Sequence, residues 1–532
     1  MSRNIFDTII VGGGIAGLTA TAYLSRERRK ILLIEKNDKC GGLVNSFKHN
    51  GFHFDAGVRA LENAGIIFPM LEDLDIKIDV VKSPVSVGIE DDVLNIVDIE
   101  SLSDYKDMLK KYYPNSKDEI DQIIKIIKKI MKYMDVLYGI DNPVFKEITK
   151  DKSFLFKKLL PWLPKFLLTV GKINRLNMPI ESYIDKLIKD QSLKDIIAQH
   201  FFKNTPTFFA LSYFSLYLDY FYPKGGVGQL ADAMVDKIRE FRGEIKTETT
   251  IKEVIPAKNI LRDENGYEYE YSKLIWCADL KTLYLNTNTE GIQVNVLKEF
   301  EDKKKILLDK RGGDSVFTLF LEVNEPLDSF REISNGHFFY TPSKTGLGQT
   351  HWEEQDNLID NWTNLKKSQI LEWLDKFTKL NTYEISIPGL KDPDLVPVGK
   401  TGLIISFLAE FDLFKKAQDS GWYKEFVKEI EDRIIKVLSG SIYPIIRGKI
   451  IERFSFTPTS IKNRVGSSEG AITGWSFQSK VPVVNKIQFS DRSVTTPLPS
   501  IYQAGQWAYS PAGVPMSILT GKLAADRILK EK

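Results

Sequence analysis

Three glycines near the N-terminus have the spacing of a loop that binds a dinucleotide. Gly12, Gly14 and Gly17 form a Gly-x-Gly-x-x-Gly pattern directly after the apolar stretch 6–11, which is typical of a buried parallel strand. The first glycine permits a tight turn, the second lets a pyrophosphate approach the backbone, and the third lets the next helix pack on the strand. The residues that we expect at the phosphates are Gly12, Gly14, Ile15, Ala16 and Gly17.

The elements around this loop are those that a dinucleotide site needs. A helix predicted over 18–27 directs its N-terminus at the phosphates, where free N–H groups favour negative charge. A second apolar strand, predicted over 30–34, ends at Glu35, an acid placed to bind a ribose 2′-hydroxyl. The same carboxylate would repel a 2′-phosphate, which disfavours NADP. A glycine turn with a purely structural role is the alternative.

Length and composition narrow the function classes. The chain has 532 residues, 43% hydrophobic and 27% charged, with a net charge of +2, which is ordinary for a globular protein of two or three domains. The near-neutral charge gives no reason to expect nucleic acid. The two cysteines, Cys40 and Cys277, support neither a metal site nor a disulfide framework, and they fit a cytoplasmic location. No signal peptide pattern precedes the first strand, and the longest uncharged run, 204–218, is too short to span a bilayer.

Further segments have the features of backbone that passes close to a ligand. Gly41-Gly42 is a conformationally costly pair unless a close approach requires it, and 52–57 alternates toward a glycine in the manner of a strand. At the other end of the chain, a strand predicted over 500–505 ends in Gly505, and a helix is predicted over 516–529.

These segments resemble the FAD-binding regions of the phytoene desaturase superfamily, which contains carotenoid desaturases and isomerases, retinol saturases and, more distantly, amine oxidases. The resemblance rests on Glu35-Lys36, Gly41-Gly42, 54–57, 222–230 and 500–515. It implies FAD rather than NAD, because an NAD dehydrogenase would not need its last forty residues to return to the nucleotide. One departure is Leu43, which stands where many members have arginine. Besides the glycine loop and Glu35, the residues implied to bind FAD are Lys36, Gly41, Gly42, Leu43, Gly57, Val58, Ile251, Ala278, Gly505, Gln506, Gly513, Val514 and Pro515.

The resemblance also implies the architecture. We expect an α/β protein with an FAD-binding Rossmann-like domain of the glutathione-reductase type and an interleaved α+β substrate domain. The FAD-binding domain is expected over 1–80, 223–290 and 491–532, and the substrate domain over 81–222 and 291–490. An antiparallel strand pair is predicted within 81–100 and helices over 101–139.

Residues 152–175 combine large apolar side chains and Trp162 with lysines. Such a segment suits a membrane surface, with apolar side chains in the lipid and lysines at anionic headgroups. Its prolines predict that it does not form one long helix. Peripheral contact with the inner face of a membrane, and a cap over an apolar cavity, are both left open.

The stretch 200–222 is dense in phenylalanine and tyrosine. A helix that is apolar on all sides is buried or lines an apolar pocket. Core packing and a tunnel for a long apolar substrate are both compatible with this composition. The candidate substrate-binding residues are Phe209, Tyr213 and Phe214.

The implied function is an FAD-dependent oxidoreductase that acts on C=C or C–C bonds of a long apolar polyene, carotenoid-like or retinoid-like. Desaturation, saturation and isomerisation are all open to this superfamily, with hydride exchange at flavin N5. An amine or porphyrinogen oxidase is an alternative, and so is a non-catalytic flavin-dependent lipid-binding protein. No acid or base is assigned; the polar candidates, for each of which a solvated or structurally paired role is favoured, are Arg59, Glu62, His200, Asp219, His351 and Trp352.

Overall fold

The structure is a computed structural model that describes residues 5–146 and 151–531. Its strands, in chain order, are β1 (Ile5–Val11), β2 (Ile31–Ile34), β3 (Ser46–His49), β4 (Phe52–Asp55), β5 (Leu61–Glu62), β6 (Val80–Lys82), β7 (Val85–Ile89), β8 (Asp92–Ile96), β9 (Tyr220–Pro223), β10 (Glu244–Lys246), β11 (Ile251–Ile255), β12 (Ile260–Asp263), β13 (Glu268–Trp276), β14 (Ser315–Val323), β15 (His337–Thr341), β16 (Tyr383–Ser386), β17 (Thr401–Ala409), β18 (Ile450–Phe456) and β19 (Ile501–Gln503).

The α-helices, in chain order, are α1 (Ile15–Arg26), α2 (Ile67–Asp73), α3 (Ser101–Tyr112), α4 (Lys117–Tyr138), α5 (Lys152–Phe154), α6 (Leu160–Ile173), α7 (Ile180–Ile184), α8 (Gln191–Ala198), α9 (Thr207–Ala210), α10 (Tyr213–Asp219), α11 (Gln229–Glu240), α12 (Leu280–Asn286), α13 (Val294–Leu308), α14 (Leu327–Arg331), α15 (His351–Asp360), α16 (Lys367–Leu380), α17 (Pro388–Lys391), α18 (Phe411–Asp419), α19 (Tyr423–Gly440), α20 (Pro458–Val465) and α21 (Val514–Lys530).

The first sheet is built from three separated parts of the chain. Strands β10, β2, β1, β13 and β19 pair side by side in parallel, and the hairpin β11–β12 extends the sheet by antiparallel pairing with β13. Strand β2 is buried along its whole length, as expected for a parallel sheet covered on both faces. Helix α1 packs between this sheet and helices α11 and α21, all within one apolar core.

The second sheet has the order β18-β14-β17-β16-β15-β7-β8 and is antiparallel except between β15 and β7. Helices α16 and α19 bury one face of it in a second apolar core. Helices α3, α4 and α8 form a third core beside β7 and β8. The strands of each sheet thus come from distant parts of the chain, but the division into domains predicted above stays a prediction.

Most of the secondary structure predicted around the glycine loop is confirmed. Helix α1, strand β2, strand β19 and helix α21 lie within a few residues of their predicted bounds. Strands β7 and β8 form the antiparallel pair predicted within 81–100. In the part of the chain described by the structure, no helix is long and apolar enough to cross a bilayer.

The prediction that prolines prevent a long helix over 152–175 is wrong. Helix α5, a π-helical turn over 155–159 and helix α6 follow one another without a break. Pro161 and Pro164 both lie inside this continuous helical run, and Pro161 comes just after the π-helical turn. The change of hydrogen-bonding pattern at that wide turn accommodates the missing N–H groups.

The aromatic stretch contains two short helices and the start of a strand. Residues 200–222 contain the short helices α9 and α10, and β9 begins at Tyr220. Asn204 has a positive φ of 62°, and Pro206 precedes α9 as its N-cap; both interrupt helical geometry. The stretch therefore presents its aromatic rings from several directions rather than along one helical axis.

Candidate functional site

A cavity of about 710 Å³ lies where the parallel strands of the first sheet end. The residues that follow β1, β2, β13 and β19 all line it, and so do residues of β15, β16 and β17 from the second sheet. Ligands of open α/β sheets bind at the carboxyl ends of the strands. The cavity therefore has the position expected for a dinucleotide, with a second compartment beneath the other sheet.

The glycine loop has the geometry that its spacing predicts. Gly12 has a φ of +105°, and a Cβ there would lie 2.9 Å from the carbonyl carbon of Cys277. A Cβ on Gly17 would lie 2.0 Å from the carbonyl oxygen of Gly12, whereas a Cβ on Gly14 would meet no atom within 4 Å. Gly12 and Gly17 thus permit close backbone packing, and Gly14 leaves open space for a ligand.

Glu35 lies at the edge of the cavity and is almost fully buried. Its Oε2 accepts a hydrogen bond from the backbone N–H of Gly13 at 2.7 Å, and its Oε1 accepts one from the backbone N–H of Asn37 at 2.9 Å. Oε1 also accepts from Asn37 Nδ2 at 2.8 Å, whereas Oε2 has a second lone pair, so the fixed carboxylate can still accept from a ribose hydroxyl through Oε2.

Two helices begin at the cavity. The N-cap residues of α1 and α21 are Gly14 and Gly513, and neither helix has a side-chain cap or an acidic residue in its first turn. The N–H groups of both first turns are therefore available to an anionic or electron-rich group. Pro515 stands in the first turn of α21, where a missing N–H has little cost.

The structure brings nearly all the predicted cofactor-binding residues to this one cavity. Two of them do not line it: Gly17, which faces Gly12 within the protein, and Pro515. Those that line it are Gly12, Gly14, Ile15, Ala16, Glu35, Lys36, Gly41, Gly42, Leu43, Gly57, Val58, Ile251, Ala278, Gly505, Gln506, Gly513 and Val514. Their binding of FAD remains a proposal.

The predicted substrate residues have different positions. Tyr213 lines the large cavity and also a smaller one of about 70 Å³. Phe214 lines only the smaller cavity, and Phe209 lines neither, although its ring lies 5.8 Å from that of Tyr213. The two cavities share His200, Tyr213, Phe339 and Thr382, so they are adjacent compartments.

The six polar candidates fall into two groups. Arg59 and His200 line the large cavity, and burial lowers the pKa of His200 to about 4, so it is neutral at pH 7. The other four do not line it. Asp219 accepts a hydrogen bond from the backbone N–H of Ala64. The His351 ring contacts the carbonyl of Gly348 and lies 4.3 Å from the ring of Trp352, centroid to centroid. Burial raises the pKa of Glu62 to about 7.

Sequence reasoning missed the polar side chains that the second sheet presents to the cavity. His337 on β15 and Glu384 on β16 line it, and their apolar sequence neighbours Phe338 and Ile385 are buried in the core behind the sheet. His337 Nε2 lies 2.9 Å from Glu384 Oε1. One sequence signal could have found Glu384. It is the single charged residue within the short β-branched and aromatic run 383–387, and strand alternation places it on the face opposite to that of its buried apolar neighbours.

A buried charge network adjoins this pair. Arg59 donates to the carbonyl of Asp55 at 2.6 Å and to the hydroxyl of Ser406 at 3.1 Å. Lys391 Nζ donates to the carbonyl of Arg59 at 2.7 Å. Burial, reinforced by the positive charge of Arg59, lowers the pKa of Lys391 to about 8. Desolvation therefore brings the pKa of Lys391 close to neutral pH and also lowers the pKa of Arg59.

A separate group of potential metal ligands lies away from the cavity. His49, Glu322 and Glu452 are close enough together to share an ion. Asn50 Nδ2 donates to both carboxylates, at 3.2 Å and 2.5 Å, so an amide already bridges them.

Comparison with known sequences agrees with this geometry. The family model of the NAD(P)-binding Rossmann-like domain matches residues 10–74. An all-trans-retinol 13,14-reductase of Danio rerio is 21% identical, covering 94% of this chain and 82% of its own. A neurosporene-forming phytoene desaturase of Rhodobacter capsulatus is 22% identical, covering 98% and 93%. A carotenoid 3,4-desaturase of Haloarcula japonica is 19% identical, covering 99% and 98%.

Solved structures share the fold. A putrescine oxidase with redesigned cofactor binding superposes with a TM-score of 0.60 at 12% identity, with both chains fully covered. An oxidoreductase from Methanosarcina mazei gives 0.57 at 14% identity, covering 98% of this chain and all of its own. The fold has a Rossmann-type dinucleotide-binding domain, and its sequence relatives identify an oxidoreductase. The names of these relatives confirm the resemblance to the superfamily of phytoene desaturases, carotenoid isomerases and retinol saturases.

Proposed function

We propose that this protein is an FAD-dependent oxidoreductase that desaturates, saturates or isomerises a long apolar polyene of the carotenoid or retinoid type. The observation that carries the proposal is the cavity itself, which extends from the glycine loop and Glu35 to the aromatic residues Tyr213, Tyr220 and Phe339. The names of the sequence relatives, retinol reductase and carotenoid desaturase, support the same substrate class.

The residues at the first sheet fit FAD. The open space beside Gly14 and the free N–H groups of α1 suit a pyrophosphate, and Glu35 suits the ribose of the adenosine half. Gly505 has a φ of +92° and packs close to Ala16, which brings the last parallel strand against the same loop. The free N–H groups of α21 face the cavity from the other end.

When bound, FAD supplies two-electron transfer to or from a carbon of the substrate. The protein's part is to bind, orient and exclude water. The uncapped N-terminus of α21 at Gly513 would stabilise negative charge on a cofactor group bound beside it. A Cβ on Gly57 would lie 2.1 Å from the carbonyl oxygen of Leu43. The segments that contain Gly57 and Leu43, both of which line the cavity, are therefore in close backbone contact.

The smaller cavity gives the apolar end of a polyene a place to lie. Its lining is mainly apolar and aromatic, from β7, β15 and helices α3, α4, α8 and α10. Ile127 of α4 and Phe214 of α10 form part of this wall. A long substrate would thus run from the sheet floor of the large cavity toward the helices of the third core.

The proposal predicts bound flavin and substrate-dependent flavin spectra. Purified protein should be yellow and release noncovalent FAD on denaturation, and lipid-soluble material that copurifies should contain a polyene by mass spectrometry. Under anaerobic conditions, a polyene should change the redox state of the bound flavin or isomerise on it. Flavin that responds to amines and not to polyenes would favour the amine-oxidase alternative, while flavin that responds to neither would favour a carrier.

We further propose that α6 and the turn before it contact an anionic membrane surface. Phe156, Leu160, Leu163, Leu167 and Leu168 are 43–70% exposed, and the first four follow the spacing of one helical face. An exposed apolar patch of this kind marks an interaction surface. The exposed lysines of the same segment supply charge complementarity to phospholipid headgroups: Lys157, Lys158, Lys165 and Lys172.

The segment is anchored to the helices that line the smaller cavity. Trp162 Nε1 donates to the carbonyl of Val136 on α4 at 2.5 Å, and the Trp162 ring stacks on Phe166 with 4.4 Å between centroids. Helix α4 also contributes Ile127 to the smaller cavity. An apolar substrate in a bilayer would therefore meet the protein on the side where its apolar compartment lies.

Sedimentation with liposomes tests the membrane proposal. Vesicles with anionic phospholipid should pull down the wild-type protein at low salt. Replacing Lys157, Lys158 and Lys165 by Glu should weaken binding on the order of a hundred-fold, since each basic residue contributes about 1 kcal/mol. The matched control changes three exposed lysines of α19 to Glu, at Lys424, Lys428 and Lys436, and should retain binding. Wild-type protein that stays in the supernatant would contradict the proposal.

A further inference from the structure

A carboxylate faces the substrate compartment from the floor of the second sheet. Glu384 pairs across β16 and β15 with Phe339, and both side chains line the large cavity. The Glu384 side chain is 34% exposed, whereas its partner His337 is only 2% exposed. Because the residue lies inside the fold and lines the cavity, this exposure is to the cavity space.

One oxygen of this carboxylate has a partner and the other does not. His337 Nε2 contacts Oε1 at 2.9 Å, and no described residue forms a hydrogen bond with Oε2. The ring of Tyr220 stacks on His337 with 5.3 Å between centroids and an angle of 8°, which fixes the imidazole plane. His337 therefore holds Glu384 in one orientation and leaves Oε2 available as an acceptor.

The nearby cations do not neutralise Glu384 by direct contact. The hydrogen bonds of Arg59 go to Asp55, Thr318 and Ser406. Lys391 donates to the carbonyl of Arg59 and to the hydroxyl of Ser386. Neither cation lies within ion-pair distance of Glu384 among the ion pairs of the described residues.

The carboxylate is nevertheless ionised. Burial acts to raise the pKa of Glu384, but the hydrogen bond from His337 and the charges of Arg59 and Lys391 outweigh it, so the pKa lies below its ordinary value. Burial lowers the pKa of His337, so the imidazole is neutral and donates from Nε2. An ionised oxygen without a partner in a largely apolar compartment is costly unless a ligand donates to it.

We infer that Glu384, oriented by His337, accepts a hydrogen bond from a hydroxyl group at one end of the substrate, so that the protein selects a polyene alcohol over the corresponding hydrocarbon. The inference rests on the proposed function and narrows its substrate class. A hydrocarbon would leave the carboxylate desolvated and unpaired, and sites built to bind a hydroxyl reject analogues that lack it. Glu384 is then a specificity-determining residue and His337 a positioning residue.

The position of the Glu384 carboxylate also determines which end of the proposed substrate lies near the cofactor-binding loops. Arg59 follows Gly57 and Val58 directly, and both of those line the large cavity. The hydroxyl end would lie on the floor beside this segment, and the apolar end would pass His200 and Tyr213 into the smaller cavity. The polar end is thereby held close to the cofactor-binding loops.

Binding measurements on the FAD-loaded protein test the inference without requiring turnover. The probes are all-trans-retinol, its analogue with hydrogen in place of the hydroxyl, and its terminal amine analogue, each titrated by fluorescence and flavin absorbance. Wild-type protein should bind the alcohol at least ten-fold more tightly than the hydrocarbon, the size of a charge-assisted hydrogen bond. Glu384→Gln should lose about that factor for the alcohol and bind the hydrocarbon at least as tightly as the wild type, because the neutral amide is less costly to desolvate. His337→Phe should reduce the alcohol preference in the same direction.

The control is Glu452→Gln, which makes the same change at an exposed position on β18 of the same sheet, and should leave all three affinities unchanged. Equal wild-type affinity for alcohol and hydrocarbon would overturn the inference, even if Glu384→Gln did not fold. Tighter binding of the amine than of the alcohol would also overturn it, in favour of an ammonium ligand. If no probe binds and no flavin is retained, the proposed function itself fails, which is a distinguishable result.

Discussion

Gly14→Val separates cofactor binding from folding more sharply than other changes in the glycine loop. Gly14 has φ −70° and ψ 176°, a conformation that valine adopts without strain. A Cβ there meets no protein atom within 4 Å, so the new side chain fills only the space proposed for the pyrophosphate. As the N-cap of α1, valine in place of glycine should cost the apo protein no more than about 1 kcal/mol.

The magnitude follows from ligand linkage. FAD at about a hundred times its Kd should add about 2.7 kcal/mol to the free energy of unfolding of the wild-type protein. In Gly14→Val this increment should vanish, while the melting temperature without FAD stays close to that of the wild type. Gly17→Ala should behave differently, because its Cβ would lie 2.0 Å from the carbonyl oxygen of Gly12 and must disturb the fold itself.

Thermal melting with and without added FAD, together with the flavin-to-protein absorbance ratio after desalting, measures both effects. Gly440→Val is the matched control, since a Cβ there also meets no atom within 4 Å and the residue lies at the end of α19. Full flavin occupancy in Gly14→Val would refute the placement of the pyrophosphate.

Three further predictions follow from the cavities and the surface. Phe214→Ala should lower the free energy of unfolding by about 3 kcal/mol in denaturant titrations, because the ring is 6% exposed and packs in the third core. Phe209 is only half-buried, so Phe209→Ala should cost less; equal losses would contradict this difference in packing. Burial raises the pKa of Glu62 from 4.5 to about 7, so the stability of the wild type is highest below about pH 4.5 and falls as the pH rises to about 7. Glu62→Gln removes this loss and should raise the free energy of unfolding at pH 8 by about 3 kcal/mol relative to wild type; a pH-independent difference would contradict this. Leu168→Ser, at a position that is 70% exposed, should weaken liposome binding without lowering the melting temperature; unchanged binding would place Leu168 outside the lipid contact.

The first sheet was predictable because its signals are local. Glycine spacing, short apolar runs and the acid at Glu35 each follow from a few consecutive residues, and the return of the chain at Gly505 was implied by resemblance. The structure places these segments at one cavity. What the sequence did not reveal is which side chains of the second sheet share that cavity, because β15, β16 and β17 pair over long sequence separations.

The wrong prediction over 152–175 has a physical cause. Prolines are expected to break a helix, but the π-helical turn lets the run continue through Pro161 and Pro164. A single-residue signal does not reveal such a turn. The position of Glu384 beside the cavity could not be predicted from the sequence, because it depends on the register between β16 and β15.

The most direct test of the central claim is a stoichiometric anaerobic experiment. The FAD-loaded protein is mixed with all-trans-retinol, once with oxidised and once with chemically reduced flavin, and the flavin absorbance and the polyene mass are followed together. The account predicts either a flavin redox change matched mole for mole by gain or loss of two hydrogens in the polyene, or an isomerised polyene of unchanged mass. A polyene that binds but stays chemically unchanged with flavin in either state, under conditions where an amine reduces the flavin, would contradict it.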